Sequence, residues 1–183
     1  WQLRLKGHEA VIYDLAPNLG GKITSVIPES RIPEQVFSSE IKRMQKIIPH
    51  VHLQQKLQKQ DLEQLAADYD FVVIATGAQK SRTLPIPGRE KAFSALDFLA
   101  ASKTGDVQAG QKVVIIGAGN VGCDVATEAS RLGAEKITLL DIQKPAASAK
   151  EFEHAQNAGA EFKWPVYARE ITDNGVRLDS GEL

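Results

Sequence analysis

Short apolar runs and segments with helical periodicity alternate along this chain. Three apolar runs bounded by polar or glycine residues predict buried parallel strands, at residues 10–13, 71–75 and 113–116. Apolar positions at three- and four-residue spacing predict helices over residues 34–48, 62–67 (with Asp61 as N-cap), 95–101, 121–132 and 148–157. Further strands are predicted at residues 51–55, 136–140, 161–164, 169–172 and 176–178, with a hairpin turn at 173–175. Strands that alternate with helices indicate an α/β fold built on a parallel sheet.

One glycine-rich segment lies between a predicted strand and a predicted helix. Residues 117–122 read Gly-Ala-Gly-Asn-Val-Gly, which is the spacing GxGxxG. In this context the spacing is typical of a Rossmann βαβ unit that binds a dinucleotide. Gly117 would permit the tight turn, Gly119 the close approach of the diphosphate, and Gly122 the close packing of helix on strand. The helix N-terminus, which includes Asn120 and Val121, would offer N–H groups to the phosphates. The alternative is a glycine-rich turn without a ligand.

A carboxylate follows the next predicted strand of this unit. Asp141 lies about 20 residues beyond the last glycine, where an acid accepts hydrogen bonds from the adenosine ribose hydroxyls. The same charge would repel a 2′-phosphate, and the next residues are Ile142, Gln143 and Lys144, with no arginine. The sequence therefore favours NAD(H) over NADP(H), although Lys144 could serve a phosphate. The alternative is a solvated aspartate at the end of a strand.

Composition and charge narrow the choice of partners. The chain of 183 residues is 43% hydrophobic and 25% charged and has a net charge of -1, which is typical of a globular protein and gives no electrostatic reason to expect nucleic acid or an anionic membrane. No apolar run approaches the roughly 20 residues that span a bilayer. The single cysteine, Cys123, excludes an intrachain disulfide and favours a cytoplasmic setting. No spacing predicts a metal site, including that of His50 and His52, or a catalytic acid–base pair.

Several segments, in this order, resemble the flavin-dependent pyridine nucleotide–disulfide oxidoreductase superfamily. Within that superfamily the chain is most similar to the small (beta) subunit of glutamate synthase. The segments that carry the superfamily resemblance are residues 7–14, 19–22, 75–78 and 117–124, and those that carry the closer one are Ile27-Pro28 and residues 133–138.

The resemblance implies an FAD-binding domain that a nicotinamide domain interrupts. Residues 1–80 would be an incomplete FAD-binding domain, residues 81–104 a linker, and residues 105–183 the NAD(P)-binding Rossmann domain. The implied FAD contacts are Asp14 at the flavin's adenosine ribose, the loop of Gly20, Gly21 and Lys22 along the flavin, and Ala75, Thr76 and Gly77 past the FAD diphosphate.

The chain departs from the family pattern in ways that shape the expected function. The first FAD strand and its own glycine motif are expected before Trp1, so we expect a fragment of a longer protein that is inactive when isolated. The branch's usual NADP preference conflicts with Asp141, and a redox-active cysteine pair is absent from the sequence.

The resemblance therefore implies a full-length protein that transfers a hydride from NAD(P)H to FAD and passes electrons to a partner protein subunit. Two alternatives remain: an NAD-binding module without turnover, and a disulfide reductase whose cysteines lie outside this sequence. Exposed sheet edges in the incomplete domain could also produce a homodimer of the fragment.

Overall fold

The computed structural model of the chain describes residues 1–182, and these form two compact units. The first unit runs from Trp1 to Gln79, and the second begins at Lys80. Leu183, the last residue of the predicted nicotinamide domain, lies outside the described residues. The fold is α/β with parallel sheets of the Rossmann type, as the sequence predicts.

The first unit contains a small parallel sheet and four helices. Its elements are α1 (Gln2–Leu5), β1 (Val11–Tyr13), α2 (Lys22–Ser25), α3 (Glu34–Ile47), β2 (His50–His52) and α4 (Lys59–Asp68). The two strands pair in parallel, with Val11 opposite His50. The Arg4 guanidinium donates to the carbonyl oxygen of Ile47 at 3.2 Å and thereby links α1 to the end of α3. Among the described residues of this unit, the buried apolar side chains are Val26, Pro28 and Ile48, so its core is small.

The predicted buried strand at residues 71–75 is wrong. The segment has no regular secondary structure, and the side chains of Phe71, Val73 and Ile74 are 83%, 72% and 73% exposed. A strand requires a neighbouring strand that accepts and donates its main-chain hydrogen bonds. Within residues 1–182, β1 and β2 pair with each other and no strand pairs with this segment. The sequence of this segment has the apolar, β-branched composition of a strand. It does not form one, because no strand of the described residues lies beside it to pair with.

Two element boundaries in the first unit also differ from the prediction. The strand β2 ends at His52 rather than at Gln55, because Gln54 adopts a left-handed backbone with φ of 57°. The helix α4 begins at Lys59, and its N-cap is Gln58 rather than Asp61. Asp61 instead lies in the first turn, where its carboxylate accepts the Gln58 N–H at 2.6 Å as part of a capping box.

The second unit contains a parallel sheet, an antiparallel sheet and three α-helices. After a short 3-10 turn at Arg89–Lys91, its elements are α5 (Ala95–Thr104), β3 (Lys112–Ile116), α6 (Asn120–Arg131), β4 (Lys136–Leu140), α7 (Ala149–Asn157), β5 (Ala160–Lys163), β6 (Ala168–Ile171), β7 (Val176–Leu178) and β8 (Gly181–Glu182). Every helix and strand predicted for this part of the chain is present, and its ends lie within one residue of the prediction, except that α5 continues three residues beyond its predicted end to Thr104.

The parallel sheet aligns the carboxyl ends of its strands. The strand order is β3-β4-β5, with Ile116 opposite Leu140 and Leu140 opposite Lys163. The strand β4 is central, and four of its side chains, Ile137, Thr138, Leu139 and Leu140, are almost completely buried. Because the strands end in register, the residues that follow β3 and β4 emerge at the same edge of the sheet.

The antiparallel sheet packs beside this edge. Its strands follow the order β6-β7-β8, and the predicted turn at 173–175 is confirmed by the Thr172 N–H, which donates to Gly175 O at 2.8 Å. Val176 and Leu178 form a buried cluster with Leu140 of β4.

The helix α5 is attached to α6 by a buried carboxylate. Glu128 of α6 is 5% exposed, and its Oε2 accepts from the Ser102 hydroxyl of α5 at 2.8 Å and from the Arg131 guanidinium at 2.9 Å. A buried carboxylate is tolerated when donors satisfy it in this way. The contact fixes α5 on the same helix that follows the glycine turn.

Candidate functional site

The glycine-rich segment forms a tight turn between β3 and α6. Gly117 has φ of +114°, a conformation that side chains rarely adopt. A Cβ atom added at Gly122 would lie 2.0 Å from the carbonyl oxygen of Gly117. The start of α6 therefore packs directly against the turn, and only glycine allows this approach.

The backbone at Gly119 is open on its outer side. Gly119 is extended (φ −88°, ψ −175°), and a Cβ atom added there would meet no described atom within 4 Å. Its carbonyl oxygen accepts the N–H of Cys123 at 3.0 Å, which is the first helical hydrogen bond of α6. The N–H groups of Asn120, Val121 and Gly122 precede that bond and have no acceptor within the helix. The turn thus combines free space with helix N-terminal N–H groups, which suits an anionic group such as a diphosphate.

The Asp141 carboxylate lies beside this turn and hydrogen-bonds to it. Its Oδ2 accepts the N–H of Ala118 at 2.8 Å, and its Oδ1 accepts the N–H of Gln143 at 3.2 Å. The neighbouring Gly117 N–H donates to Leu140 O at 2.8 Å, so two hydrogen bonds connect the turn to the end of β4. An ionised carboxylate has about four acceptor positions, so Asp141 retains capacity for ribose hydroxyls. The sequence pointed to Asp141 but not to its bond with Ala118.

A second side chain connects the turn to the loop after β4. The Asn120 Oδ1 atom accepts the N–H of Ser148 at 2.7 Å. Ser148 is the N-cap of α7, and its hydroxyl accepts the N–H of Glu151 at 3.5 Å. The Ser-x-x-Glu spacing indicates this helix start from sequence, but no periodic signal indicates the contact with Asn120. The structure therefore brings Gly117, Gly119, Asn120, Val121, Gly122 and Asp141 together in the second unit.

The residues predicted to contact FAD lie in the first unit, all of them in loops except Lys22, which is the first residue of α2. The Asp14 carboxylate follows β1 and accepts the N–H of Ala16 at 2.9 Å, which closes a turn in its own loop. Gly20 and Gly21 have positive φ angles and lead into α2, where Lys22 donates through Nζ to the carbonyl oxygen of Ala78. This contact joins the loop of Gly20 to the exposed segment that contains Ala75, Thr76 and Gly77.

The described part of the first unit lacks one component of a dinucleotide site. Within residues 1–79, no strand–turn–helix unit has the glycine spacing found at residues 117–122. Residues 1–79 therefore contain no glycine turn of the kind that could receive a diphosphate.

Comparison with known proteins identifies the family. Residues 2–182 match the sequence pattern of the family "Pyridine nucleotide-disulphide oxidoreductase". The chain belongs to this family. The resemblance to glutamate synthase small subunits is confirmed as well: the chain is 28% identical over 195 residues to the glutamate synthase [NADPH] small chain of Azospirillum brasilense, covering 96% of this chain and 40% of that protein.

Another member of the family is similar at a comparable level. The NAD-dependent dihydropyrimidine dehydrogenase subunit PreT of Escherichia coli O157:H7 is 31% identical over 189 residues, covering 97% of this chain and 46% of that protein. The chain therefore spans less than half the length of these two relatives. Both nicotinamide cofactors appear in their names, NADPH for one and NAD for the other.

A solved structure supports the fold. The chain superposes on 2-naphthoyl-CoA reductase with a TM-score of 0.70 at 20% sequence identity, covering 98% of this chain and 28% of that one. At 20% identity, this similarity shows that the two chains share a fold and does not bear on function.

The part of the chain that the structure describes contains neither a cluster of metal ligands nor a membrane-spanning helix. Among residues 1–182, no three His, Cys, Asp or Glu side chains are grouped so that they could hold a metal ion. No helix within the same residues is long and apolar enough to cross a membrane.

Family membership draws attention to Cys123, the single cysteine of the chain. Its side chain is 1% exposed in the first turns of α6. Burial, and to a lesser extent the nearby carboxylates of Asp124 and Glu151, together raise the pKa of the Cys123 thiol to about 11. The thiolate is the reactive form of cysteine, so this residue is a packing residue in the folded protein.

We expect Cys123 to resist alkylation while the protein is folded. With a pKa of about 11, roughly a thousandth of the thiol is ionised at pH 8, and burial blocks access as well. Iodoacetamide at pH 8 should leave the peptide that contains Cys123 unlabelled in the native full-length protein and label it fully in urea, as measured by mass spectrometry. Native labelling at the rate of the urea sample would contradict this assignment.

Proposed function

We propose that the full-length protein is an NAD(P)H oxidoreductase that prefers NAD(H), passes electrons to FAD, and delivers them to a partner protein subunit. The observation that carries this proposal is the glycine turn at residues 117–122, with open space at Gly119 and with Asp141 bonded to Ala118. Its family is one of oxidoreductases, and two relatives are named as the subunit or small chain of a larger enzyme.

The nicotinamide cofactor fits the second unit. The N–H groups at the start of α6 would bind the diphosphate, and Gly119 would let it approach the backbone. Asp141 would accept hydrogen bonds from the adenosine ribose. The nicotinamide supplies a hydride when bound, and that chemistry belongs to the cofactor. The role of this chain is to bind and orient the dinucleotide, so no side chain among the described residues is required as an acid or base.

The preference for NAD(H) rests on the charge of Asp141. A 2′-phosphate placed on the adenosine ribose would lie beside this carboxylate and would be repelled. Lys144 is the nearest cation in the following sequence, and its side chain is exposed. The Asp141 carboxylate is bonded to the N–H groups of Ala118 and Gln143 rather than to Lys144 in the described part of the chain. The negative charge of Asp141 is therefore not neutralised by Lys144.

FAD binding is proposed from the resemblance and from the loops of the first unit. Asp14, the loop of Gly20, Gly21 and Lys22, and the segment Ala75–Gly77 would contact the flavin nucleotide. The bond from Lys22 to Ala78 O holds two of these loops together. The diphosphate of FAD needs a glycine turn of its own, which residues 1–79 do not supply, so the proposal concerns the full-length protein.

Flavin reduction tests the proposal directly. We expect the purified full-length protein to carry flavin. The flavin absorbance at about 450 nm should bleach when NADH is added in the absence of oxygen. NADPH at the same concentration should bleach it more slowly. A Gly110→Ala variant should bleach as the wild type does, so it is the control for the substitutions in the glycine turn. Gly110 is exposed, and its added Cβ would make only an ordinary contact of 3.7 Å with Lys112 O.

Two results would contradict the proposed activity. A full-length protein that purifies without flavin and ignores added FAD would not be a flavin-dependent oxidoreductase. Tight NADH binding without transfer of electrons to any acceptor would instead identify an NAD-binding module. Faster bleaching by NADPH than by NADH would overturn the cofactor preference alone.

A further inference from the structure

The Asn120 side chain joins the starts of two helices that are distant in sequence. Asn120 is the first residue of α6, and its Oδ1 accepts the N–H of Ser148, the N-cap of α7, at 2.7 Å. The N-cap of α6 is Gly119, so Asn120 does not cap its own helix. Its side chain is instead committed to the other helix.

This contact holds the far end of the loop that follows β4. The near end of the loop, Asp141, is bonded to Ala118 at 2.8 Å. The far end, Ser148, is bonded to Asn120. Between them, Gln143 and Lys144 are exposed. The glycine turn therefore holds the loop at both ends, through one backbone N–H and one side chain.

We propose that Asn120 is a positioning residue that fixes the 141–148 loop and thereby sets the discrimination between NADH and NADPH; this rests on the proposed function. The 2′ position of the adenosine ribose lies beside the acid at the end of the second strand. The loop that follows decides whether this position meets the carboxylate of Asp141 or the ammonium group of Lys144. Fixed by Asn120, the loop leaves the carboxylate dominant. Released from Ser148, it allows Lys144 to approach a 2′-phosphate.

Three variants of the full-length protein separate this role from a general effect on folding. Asn120→Ala removes the acceptor, and Asn120→Asp keeps an oxygen in the same place. Asn157→Ala is the matched control, because Asn157 is an exposed asparagine at the opposite end of α7. Hydrogen exchange of the Ser148 amide measures the contact without nucleotide, and titrations with NADH and with NADPH measure the discrimination.

For Asn120→Ala we expect the Ser148 amide to exchange about fivefold faster and the NADH Kd to rise about fivefold, since one hydrogen bond is lost. The NADPH Kd should change less, so the ratio of the NADPH Kd to the NADH Kd falls. Asn120→Asp should restore both the slow exchange and the ratio, even if its charge weakens both cofactors. Asn157→Ala should match the wild type in every measurement.

The outcomes distinguish this inference from the proposed function. If the wild type binds NADH but Asn120→Ala leaves the exchange rate and the Kd ratio unchanged, the role of Asn120 is overturned and the proposed function stands. Faster exchange with an unchanged ratio would also overturn the role in discrimination. If the wild type binds neither nucleotide, both proposals are overturned.

Discussion

Replacing Gly122 by alanine is expected to destabilise the protein by about 2 kcal/mol and to raise the NADH Kd more than about tenfold. The added Cβ would lie 2.0 Å from Gly117 O and 3.1 Å from Gly117 C. Both atoms belong to the backbone, so the clash is not relieved by rotation of a side chain. The start of α6 must move away from β3, and the N–H groups that would bind the diphosphate move with it. Thermal unfolding and NADH titration of the full-length protein measure the two effects.

Two further glycines provide the controls for Gly122→Ala. Gly119→Ala should leave the thermal midpoint nearly unchanged, because its Cβ meets no described atom within 4 Å. It should still raise the NADH Kd about tenfold, since the methyl group occupies the space proposed for the diphosphate. Gly110→Ala should alter neither quantity. A Gly122→Ala protein with wild-type stability and affinity would show that the close approach at the turn does not exist.

Replacing Asp141 by alanine should raise the NADH Kd about 10- to 100-fold, because two roles are lost together. The Ala118 N–H loses its acceptor, which loosens the glycine turn, and the ribose hydroxyls lose a charged partner. NADPH binding should not improve, since the turn that receives the diphosphate is common to both cofactors. Parallel titrations with NADH and NADPH, each with the thermal midpoint recorded, measure the two roles.

Asp141→Asn is the control that separates charge from hydrogen bonding. Its amide oxygen still accepts the N–H of Ala118, so the turn is kept, but the negative charge is gone. The NADH Kd should rise less than in the alanine variant, while the NADPH Kd relative to that of NADH should fall about tenfold as repulsion disappears. If alanine and asparagine behaved alike toward both cofactors, the bond to Ala118 would have no part in the site.

The second unit could be predicted from sequence because each of its signals is local and mutually consistent. The strands β3 and β4 are apolar runs, α6 has helical periodicity, and the glycines between them match a known turn. Each of these elements also has its partner close in sequence, so propensity and tertiary structure agree. The helix α2, the 3-10 turn at Arg89–Lys91 and the strand β8 were missed; they have four, three and two residues and carry no periodic pattern.

The incorrect strand prediction and the contacts that the sequence did not reveal have a different physical origin. The composition of residues 71–75 favours a strand, but strand formation depends on a neighbouring strand, which propensity does not reveal. The contacts of Asp141 with Ala118 and of Asn120 with Ser148 join residues far apart in sequence through loop geometry. Sequence spacing identified both side chains as candidates for cofactor binding, yet it could not show that each is already bonded to the protein. These bonds are what make the site a pre-organised unit rather than a set of residues.

The exposed segment at residues 71–74 has a practical consequence for handling this chain alone. Phe71, Val72, Val73 and Ile74 are uncharged, contain no proline, and leave their main-chain donors and acceptors without a neighbouring strand among residues 1–182. Such a run is a template for intermolecular β-sheet growth. A polypeptide of this sequence would thus be prone to aggregate in concentrated solution. The substitution Val73→Lys would place a charge within the apolar run and reduce this aggregation.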